Sequence, residues 1–257
     1  KERKMKKYSL ALAVTFALGS TAVFADSEKN CKNLPKHSAL QAALNAAVNT
    51  ETSGLDNDMW ATLVNRDGVI CAVAFSGENR GAQWPGSRAI SAQKANTANA
   101  FSLPKGAGGL DGLSLSTANL FSAVQPGGSL FGLQHSNPVD PSVAYKGPAK
   151  KFGTAKDPMV GKKMGGVNVF GGGTALYNEN QELVGALGVS GDTSCADHFI
   201  AWHTRNNLAL DYVPAGVAAN GDNIIFDIVN GASTGGFGHP TCINTGDETA
   251  LPAISTP

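Results

Sequence analysis

The sequence predicts an α+β domain in which one antiparallel sheet carries helices packed on it. The first observation is the order of the local patterns, which is helix, hairpin, helix, helix, strand, hairpin, helix. The second is that strands and helices do not alternate as β-α-β units, which argues against a doubly wound parallel fold. The third is size, because 257 residues, of which 42% are hydrophobic, can bury a core and lie near the upper limit of one domain.

The N-terminal segment 1–25 has the pattern of a secretory signal peptide. Lys and Arg are concentrated in residues 1–7, an apolar run covers 10–18, and the compact residues Val23 and Ala25 precede the expected cleavage point. The apolar run is shorter than the roughly 20 residues of a membrane-spanning helix, although an uncleaved anchor is the alternative. We therefore expect a protein exported to the periplasm or the extracellular space, with no stable membrane insertion after cleavage.

Four elements are predicted in the first part of the chain after residue 25. Leucine and alanine at helical spacing predict an amphipathic helix over 38–48. Two β-rich runs, 59–64 and 69–75, are separated by a turn containing Asp67-Gly68, which is typical of a hairpin. The Ala-rich stretch 87–101 lacks Gly and Pro and predicts a second helix.

Patterns are weaker in the middle of the chain. A shorter helix is predicted over 116–124, stopped by Pro126-Gly127-Gly128, with a strand over 129–133 after it. Residues 135–165 are rich in Pro, Lys and Gly with little periodicity, and are expected to be an irregular insertion.

The last third returns to regular patterns. Strands are predicted over 167–170, 174–177 and 183–189. Ser194 and Asp197 are spaced as the N-cap and N3 residues of a capping box, which predicts a helix extending to residue 208. After that helix only one short apolar run, 224–229, interrupts a tail rich in Gly, Thr and Pro.

The four cysteines, Cys31, Cys71, Cys195 and Cys242, all follow the expected cleavage point. In an oxidising compartment an even number of cysteines indicates disulfides, and four cysteines allow three pairings. We favour Cys31–Cys71 and Cys195–Cys242, because each pair flanks one end of the chain. The sequence contains no C-x-x-C or C-x-x-C-H, which argues against thioredoxin-like chemistry, the usual zinc knuckles and covalently attached haem.

Composition and charge exclude several classes of protein. The 31 glycines and 12 prolines follow no collagen-like period and are too few for wholesale disorder. The 20 Lys and Arg residues balance 20 Asp and Glu residues. Because the formal charge is zero, we expect no nucleic-acid partner.

Two of the five histidines, His198 and His203, fall on the helix predicted after residue 194. They are five residues apart, or roughly 140° around a helix, so they do not form the i, i+4 pair of a helical metal site. His198 and Trp202 are four apart and share a face. Either His198 packs beside the aromatic ring as part of the core, or it binds a ligand.

Two segments resemble the GlcG/HbpS family of haem-binding proteins, also called the haem-degrading domain family. The resemblance spans 38–210 and is interrupted around 103–164, where this chain is longer. The matching residues are Ser87-Arg88, Ser91, Lys94-Ala95, Thr97-Ala98 and Phe101 in the first segment, and Gly165-Gly166-Val167 with the run Gly185-Ala186-Leu187-Gly188-Val189-Ser190-Gly191-Asp192 in the second.

The resemblance implies a profilin-like or PAS-like α+β fold that assembles into homo-oligomers and binds haem. It divides the chain into a signal peptide (1–25), a GlcG/HbpS-like domain (26–210) with an irregular insertion at about 103–164, and a C-terminal extension (211–257) packed on the same domain. The extension, the insertion and the cysteines depart from the short family pattern, and they either cover or build the pocket.

Non-covalent haem needs an apolar slot, an axial donor and cations for the propionates. If disulfides consume the cysteines, a histidine is the expected donor, with His198 first, His203 second and His37 third. The alternative to a ligand role for His37 is a solvated residue near the mature N-terminus. Arg88 and Lys94 are candidates for pairing with propionates, against a structural ion pair for Arg88 and a solvated helix face for Lys94.

The sequence therefore favours an exported protein that binds haem or a related tetrapyrrole for storage, sensing or delivery. An enzyme that degrades haem or acts on a small metabolite is the first alternative. An oligomeric interaction module without haem is the second.

Overall fold

The structure is a computed structural model that describes residues 31–257. The predicted signal peptide lies outside the described residues and stays a prediction. In the described part of the chain, no helix is both long enough and apolar enough to cross a membrane.

A four-stranded antiparallel sheet forms the centre of the fold. Its strands are β1 (Trp60–Asn65), β2 (Ile70–Phe75), β3 (Gly173–Tyr177) and β4 (Leu183–Ser190), in the order β2-β1-β4-β3. Both predicted hairpins are present, and β4 of the second pairs with β1 of the first. Gly68 supplies the positive φ of 75° in the first turn.

Helices cover both faces of the sheet, which confirms the predicted α+β class. On one face α1 (His37–Thr50) packs against α5 (Ser194–Asn207), and their apolar residues share a core with alternate residues of the strands. On the other face α2 (Ser87–Phe101) crosses β1, β3 and β4. The predicted helices at 38–48 and 87–101 are confirmed, the second with the same ends.

The α2 helix lies very close to β4 because both contact surfaces are made of small residues. A Cβ atom at Gly188 of β4 would lie 1.9 Å from the carbonyl oxygen of Ser91, so only glycine fits there. The side of α2 that faces the core presents a row of alanines three residues apart: Ala89, Ala92, Ala95 and Ala98.

Three predicted elements are wrong, two in the middle of the chain and one at 167–170. The predicted helix over 116–124 is two 3₁₀ turns, Ala118–Leu120 and Ser122–Val124. The Asn119 side chain accepts hydrogen bonds from the Ser116 N–H and hydroxyl, and such local bonds compete with a regular helix. The predicted strand over 129–133 is a turn that leads into the four-residue helix α3 (Leu133–Ser136).

Residues 167–170 also form no strand. The N–H of Asn168 donates to the Thr97 hydroxyl of α2, and the N–H of Phe170 donates to the Asn168 side chain, so these backbone groups bond to side chains and not to a neighbouring strand. The start of α5 is corrected by one residue. Its N-cap is Thr193, whose side chain accepts from the N–H of Ala196.

The irregular insertion contains a further four-residue α-helix, α4 (Pro141–Ala144), beside the N-terminal end of α2. The C-terminal extension forms a two-stranded ribbon, β5 (Ile228–Val229) and β6 (Ala232–Ser233). The favoured cysteine pairing is the one the structure forms. Cys31–Cys71 joins the segment before α1 to β2, whereas Cys195–Cys242 joins α5 to the extension.

Candidate functional site

A cavity of about 390 Å³ lies at the N-terminal end of α2, beneath the irregular insertion. Its aromatic walls are Trp60 of β1, Tyr145 and Phe152. The other lining residues are Asn79, Arg80, Gly81, Pro85, Arg88, Ala89 and Ala144. Tyr145 is 73% exposed and Arg80 is exposed, so these two side chains mark the mouth.

Arg88 forms part of the buried wall of this cavity. Its Nε donates to Asp157 Oδ2 at 2.9 Å, Nη2 donates to Asp157 Oδ1, and Nη1 donates to the carbonyl oxygen of Ala144 at 2.8 Å. The guanidinium also lies 3.7 Å from the centre of the Phe152 ring. Arg88 therefore makes the structural ion pair, with Asp157. Through Asp157 and the Ala144 carbonyl it holds two separate parts of the insertion beside the cavity.

The charged residues that line the cavity, Arg80 and Arg88, are both basic. The stretch 145–157 contains the exposed lysines Lys146, Lys150, Lys151 and Lys156. Its one acidic residue, Asp157, is buried against Arg88. A ligand that enters beside Tyr145 therefore meets the charge of Arg80 at the mouth and aromatic surface inside.

Lys94 does not lie on a solvated helix face, because it is fully buried. Its Nζ donates to the carbonyl oxygen of Val189 at 3.0 Å and to Asp197 Oδ2 at 2.5 Å. Burial lowers the pKa of Lys94 and raises the pKa of Asp197 to about 6. The pair joins α2 to α5, and an anionic ligand would reach Lys94 only by displacing Asp197.

His198 is also fully buried, and the C-terminal extension covers it. Its Nε2 lies 3.1 Å from the backbone nitrogen of Ile224 and 3.2 Å from Asn223 Oδ1. Its Nδ1 has no hydrogen-bond partner among residues 31–257. Burial lowers the pKa of His198 to about 3, so the ring is neutral, and its centre lies 5.9 Å from that of Trp202, as the shared helix face predicts.

The other two histidine candidates lie apart from each other and from His198. His203 lies 3.8 Å from Glu51 in a polar cleft of about 220 Å³, and burial lowers its pKa. His37 is half-buried at the start of α1, with Nε2 2.9 Å from the carbonyl oxygen of Gly153. The structure therefore does not bring the three predicted donors into one site.

Sequence reasoning missed several residues that organise these regions. Asp157 pairs with Arg88, and Asp222 of the extension pairs with Arg205 of α5, both deep in the protein. Burial acts to raise the pKa of Asp222, but the Arg205 guanidinium holds it below its usual value. The aromatic pair Tyr145 and Phe152 falls in the irregular segment, where no periodicity indicates which side chains point inward.

A further histidine, His239, lies beside the Cys195–Cys242 disulfide. Its Nδ1 donates to the carbonyl oxygen of Pro240 at 2.7 Å, because a carbonyl can only accept. The other ring nitrogen, Nε2, lies 2.8 Å from the Ser194 hydroxyl at the start of α5. Burial lowers the pKa of His239 to about 4, so this ring is neutral.

The comparison with protein families matches residues 35–204 to the model described as haem degrading protein HbpS-like. The solved structures that resemble the chain include the following two. The crystal structure of a PduOC–haem complex is 21% identical, with a TM-score of 0.43, and the match covers 66% of this chain and 89% of that one. The Klebsiella pneumoniae protein ORFY is 22% identical, with a TM-score of 0.43, and the match covers 68% of this chain and 90% of that one.

No curated protein matches the chain significantly. The family match begins just before α1 and ends within α5, so it contains the whole four-stranded sheet, α1, α2 and most of α5. The cavity beside Arg88 lies within it, whereas the C-terminal extension lies outside. This chain belongs to the HbpS-like family of haem degrading proteins.

Proposed function

We propose that this protein binds haem or a related tetrapyrrole, without a covalent bond, in the cavity beside Arg88. The observation that carries the proposal is the combination of aromatic walls with the basic lining residues Arg80 and Arg88 in one cavity of about 390 Å³. Ligand pockets in proteins measure about 300–1,000 Å³, so this one is of a size to hold much of a macrocycle with its edge in solvent. The family match makes haem the first ligand to test.

The chemistry of the lining suits a flat ligand that carries negative charge. Trp60, Phe152 and Tyr145 offer aromatic surface to a planar ring, and Ala89 and Ala144 leave space beside it. Arg80 lines the cavity at an exposed position, and the exposed lysines follow Tyr145 and flank Phe152 in the sequence, so we assign these cations to the propionates of a haem. Arg88 is already paired with Asp157, so we assign it the role of shaping the wall.

Tyr145 is the lining side chain of a type that ligates haem iron. Bound haem would supply redox and oxygen chemistry at its iron. The protein's own contribution is to hold the ring between aromatic walls and to neutralise its carboxylates. His198 would reach a haem only if the extension lifted from Asn223 and Ile224, and we therefore prefer Tyr145 as donor.

Two other cavities in the described residues, both formed wholly or in part by the C-terminal extension, fit a haem less well. A groove of about 620 Å³ is formed by the C-terminal extension, but its charged lining residues, Asp227 and Glu248, are both acidic. The cleft beside His203 measures only about 220 Å³ and is lined by two acids, Glu51 and Asp247. Negative linings repel propionates, which favours the cavity beside Arg88.

The test is a titration of the purified protein with hemin, followed by its Soret absorbance. We expect a saturable Soret shift that depends on the cavity residues. A featureless titration would overturn the proposal and favour an interaction module without haem.

Adding an electron donor and oxygen to the complex separates a carrier from a degrading enzyme. None of the ten residues that line the cavity is a histidine or a carboxylate, so the lining offers few groups for proton transfer. We therefore propose a role in storage, sensing or delivery and expect the bound haem to persist. Bilin-like products would instead support the enzyme.

Export and assembly are separate parts of the proposal. Two disulfides are typical of an oxidising compartment, and the N-terminal pattern supports secretion. N-terminal sequencing of the exported protein should begin at Asp26. Light scattering with and without hemin tests the proposed homo-oligomer, and a monomer in both conditions would contradict it.

A further inference from the structure

The Cys195–Cys242 disulfide and His239 form a compact group of three potential metal ligands. Their ligand atoms all lie within 4.8 Å of one another. Two of the three residues are buried and Cys242 is partly exposed. The disulfide itself cannot ligate a metal strongly, since thiolates and neutral imidazole are the donors that bind Zn²⁺.

We propose that reduction of the Cys195–Cys242 disulfide creates, together with His239, a binding site for Zn²⁺. The proposal is independent of the haem cavity, because none of the residues that line that cavity belongs to α5 or to the C-terminal extension. The site joins the start of α5 to the C-terminal extension, so the metal would replace the disulfide as the link between them.

The redox step is a thiol–disulfide exchange with a dithiol reductant. The reductant gives two electrons and two protons and becomes a disulfide, while the bond between Cys195 Sγ and Cys242 Sγ becomes two thiols. Cys242 is the partly exposed sulfur, so the reductant attacks there. Zn²⁺ then displaces both thiol protons and binds the two thiolates.

The surroundings favour the ligating form of each residue. The backbone N–H of Cys195 already donates to Cys242 Sγ at 3.1 Å, and the position at the start of α5 favours a thiolate. The His239 Nδ1–H bond to the Pro240 carbonyl leaves the lone pair on Nε2, which accepts from the Ser194 hydroxyl until the metal takes its place. Such a bond from the non-ligating nitrogen to a carbonyl is typical of metal-bound histidines.

The loop of the extension is also held in place without the disulfide. The N–H of Cys242 donates to the Thr245 hydroxyl at 2.6 Å, and that hydroxyl donates back to the Cys242 carbonyl at 2.8 Å. Asn244 donates to the carbonyl oxygens of Thr52 and Gly54. These bonds keep Cys242 close to α5 after reduction. The fourth position on the metal is open to water or to the Ser194 hydroxyl.

The test uses Co²⁺ as a spectroscopic probe for Zn²⁺. The protein is reduced with a small dithiol, separated from it without oxygen, and titrated with Co²⁺ beside an oxidised sample. We expect a thiolate-to-cobalt charge-transfer band in the reduced sample only. His239→Asn should weaken the binding by about tenfold or more, whereas His135→Asn, a matched change on exposed α3, should leave it unchanged.

A second readout distinguishes the two pairs of cysteines. In the reduced protein, Zn²⁺ should slow the alkylation of Cys195 and Cys242, as measured by peptide mass spectrometry. Cys31 and Cys71 should stay reactive and serve as the internal control.

Three results would overturn the proposal. The first is the absence of a charge-transfer band in reduced protein. The second is unchanged Co²⁺ affinity in His239→Asn. The third is loss of the near-ultraviolet circular dichroism on reduction that neither Co²⁺ nor Zn²⁺ reverses.

Discussion

Later parts of the chain cover the start of α2 and the length of α5 in different ways. We call the start of α2 with its cavity the open end, and α5 with the extension over it the closed end. At the start of α2, the insertion is attached through the Arg88–Asp157 pair and leaves an aromatic cavity open beside it. Along α5, the extension is attached through a disulfide and the Arg205–Asp222 pair and closes completely over His198. A buried cation holds down an added segment in both places, but only the first leaves room for a ligand.

The difference teaches that a candidate ligand residue must be judged by what covers it. His198 has the right chemistry for a haem iron but no path to solvent, whereas the insertion supplies an accessible ring, that of Tyr145. We expect the extension to behave as a structural cover and the insertion to behave as the ligand-binding element.

The largest expected effect is on stability, when a carboxylate of the closed end is removed. Asp222→Asn leaves the fully buried Arg205 without its counter-ion and should lower the free energy of unfolding by about 3–5 kcal/mol. Asp157→Asn should cost less, because Arg88 borders an open cavity where water can solvate it. Urea denaturation measures both. Equal losses would show that the two ends do not differ in solvent access.

The second effect is a pH dependence that originates at the closed end. The folded-state pKa values of His198 and His239, about 3 and about 4, lie below the ordinary value of 6.5. As the pH falls below 6.5, the unfolded chain therefore gains two protons that the folded chain does not, and stability decreases. Asp197 acts in the opposite direction. Its folded-state pKa of about 6 lies above the ordinary 3.8, so between these values the folded chain binds one proton more at Asp197 than the unfolded chain does.

For these three groups the net difference is one proton, which should lower the free energy of unfolding by about 1.4 kcal/mol for each unit that the pH falls between 6 and 4. The lowered pKa of His203 adds to the slope in the same direction. Replacing His239 by Asn should remove most of that slope. Denaturant titrations at several pH values check this, and an unchanged slope in the variant would contradict the burial of a neutral His239.

The third effect concerns the open end and should appear in ligand affinity and not in stability. The double substitution Lys150→Glu and Lys151→Glu reverses two exposed charges that immediately precede the lining residue Phe152. It should weaken hemin binding by about tenfold at low salt, assuming about 0.3–1 kcal/mol for each altered charge pair. Lys105→Glu, an exposed lysine that bonds to Gln181, is the matched control. Equal hemin affinities of the two variants would contradict an interaction between the propionates and Lys150 or Lys151.

The smallest effect is expected at His203. Its pair with Glu51 is 3.8 Å long and partly solvated, so His203→Ala should change the free energy of unfolding by about 0.5 kcal/mol or less. Hemin affinity should stay the same. A loss of hemin binding in this variant would indicate that hemin binds in the cleft beside His203 and not in the cavity beside Arg88.

The sequence predicted the parts of the fold that have strong local signals. The Ala-rich stretch 87–101 and the Asp67-Gly68 turn predicted α2 and the first hairpin, and the even number of cysteines predicted two disulfides, of which the structure forms the pairing that we favoured among three. The segment 116–124 has a helical composition, yet Asn119 and Ser116 hold it in 3₁₀ turns through local side-chain bonds. Composition does not encode that competition.

The candidate site was less predictable, because its residues come from distant segments. Arg88 was identified, but its partner Asp157 is 69 residues away in a region without periodicity. Tyr145 and Phe152 carry no pattern that shows they line one cavity. Lys94 and His198 have ligand chemistry in the sequence, and only their burial shows that they are occupied by Asp197 and by the extension.

The most direct test of the account is a hemin titration of the wild type beside Gly81→Phe. Gly81 lines the cavity at an exposed position, and a Cβ there makes only an ordinary contact with Asn79, so the variant should fold with a ring in the cavity. Ala39→Phe adds a ring to an exposed site on α1, on the opposite face of the sheet, as the control. We predict a saturable Soret shift in the wild type and the control that is lost in Gly81→Phe. An equal shift in all three proteins would contradict haem binding beside Arg88.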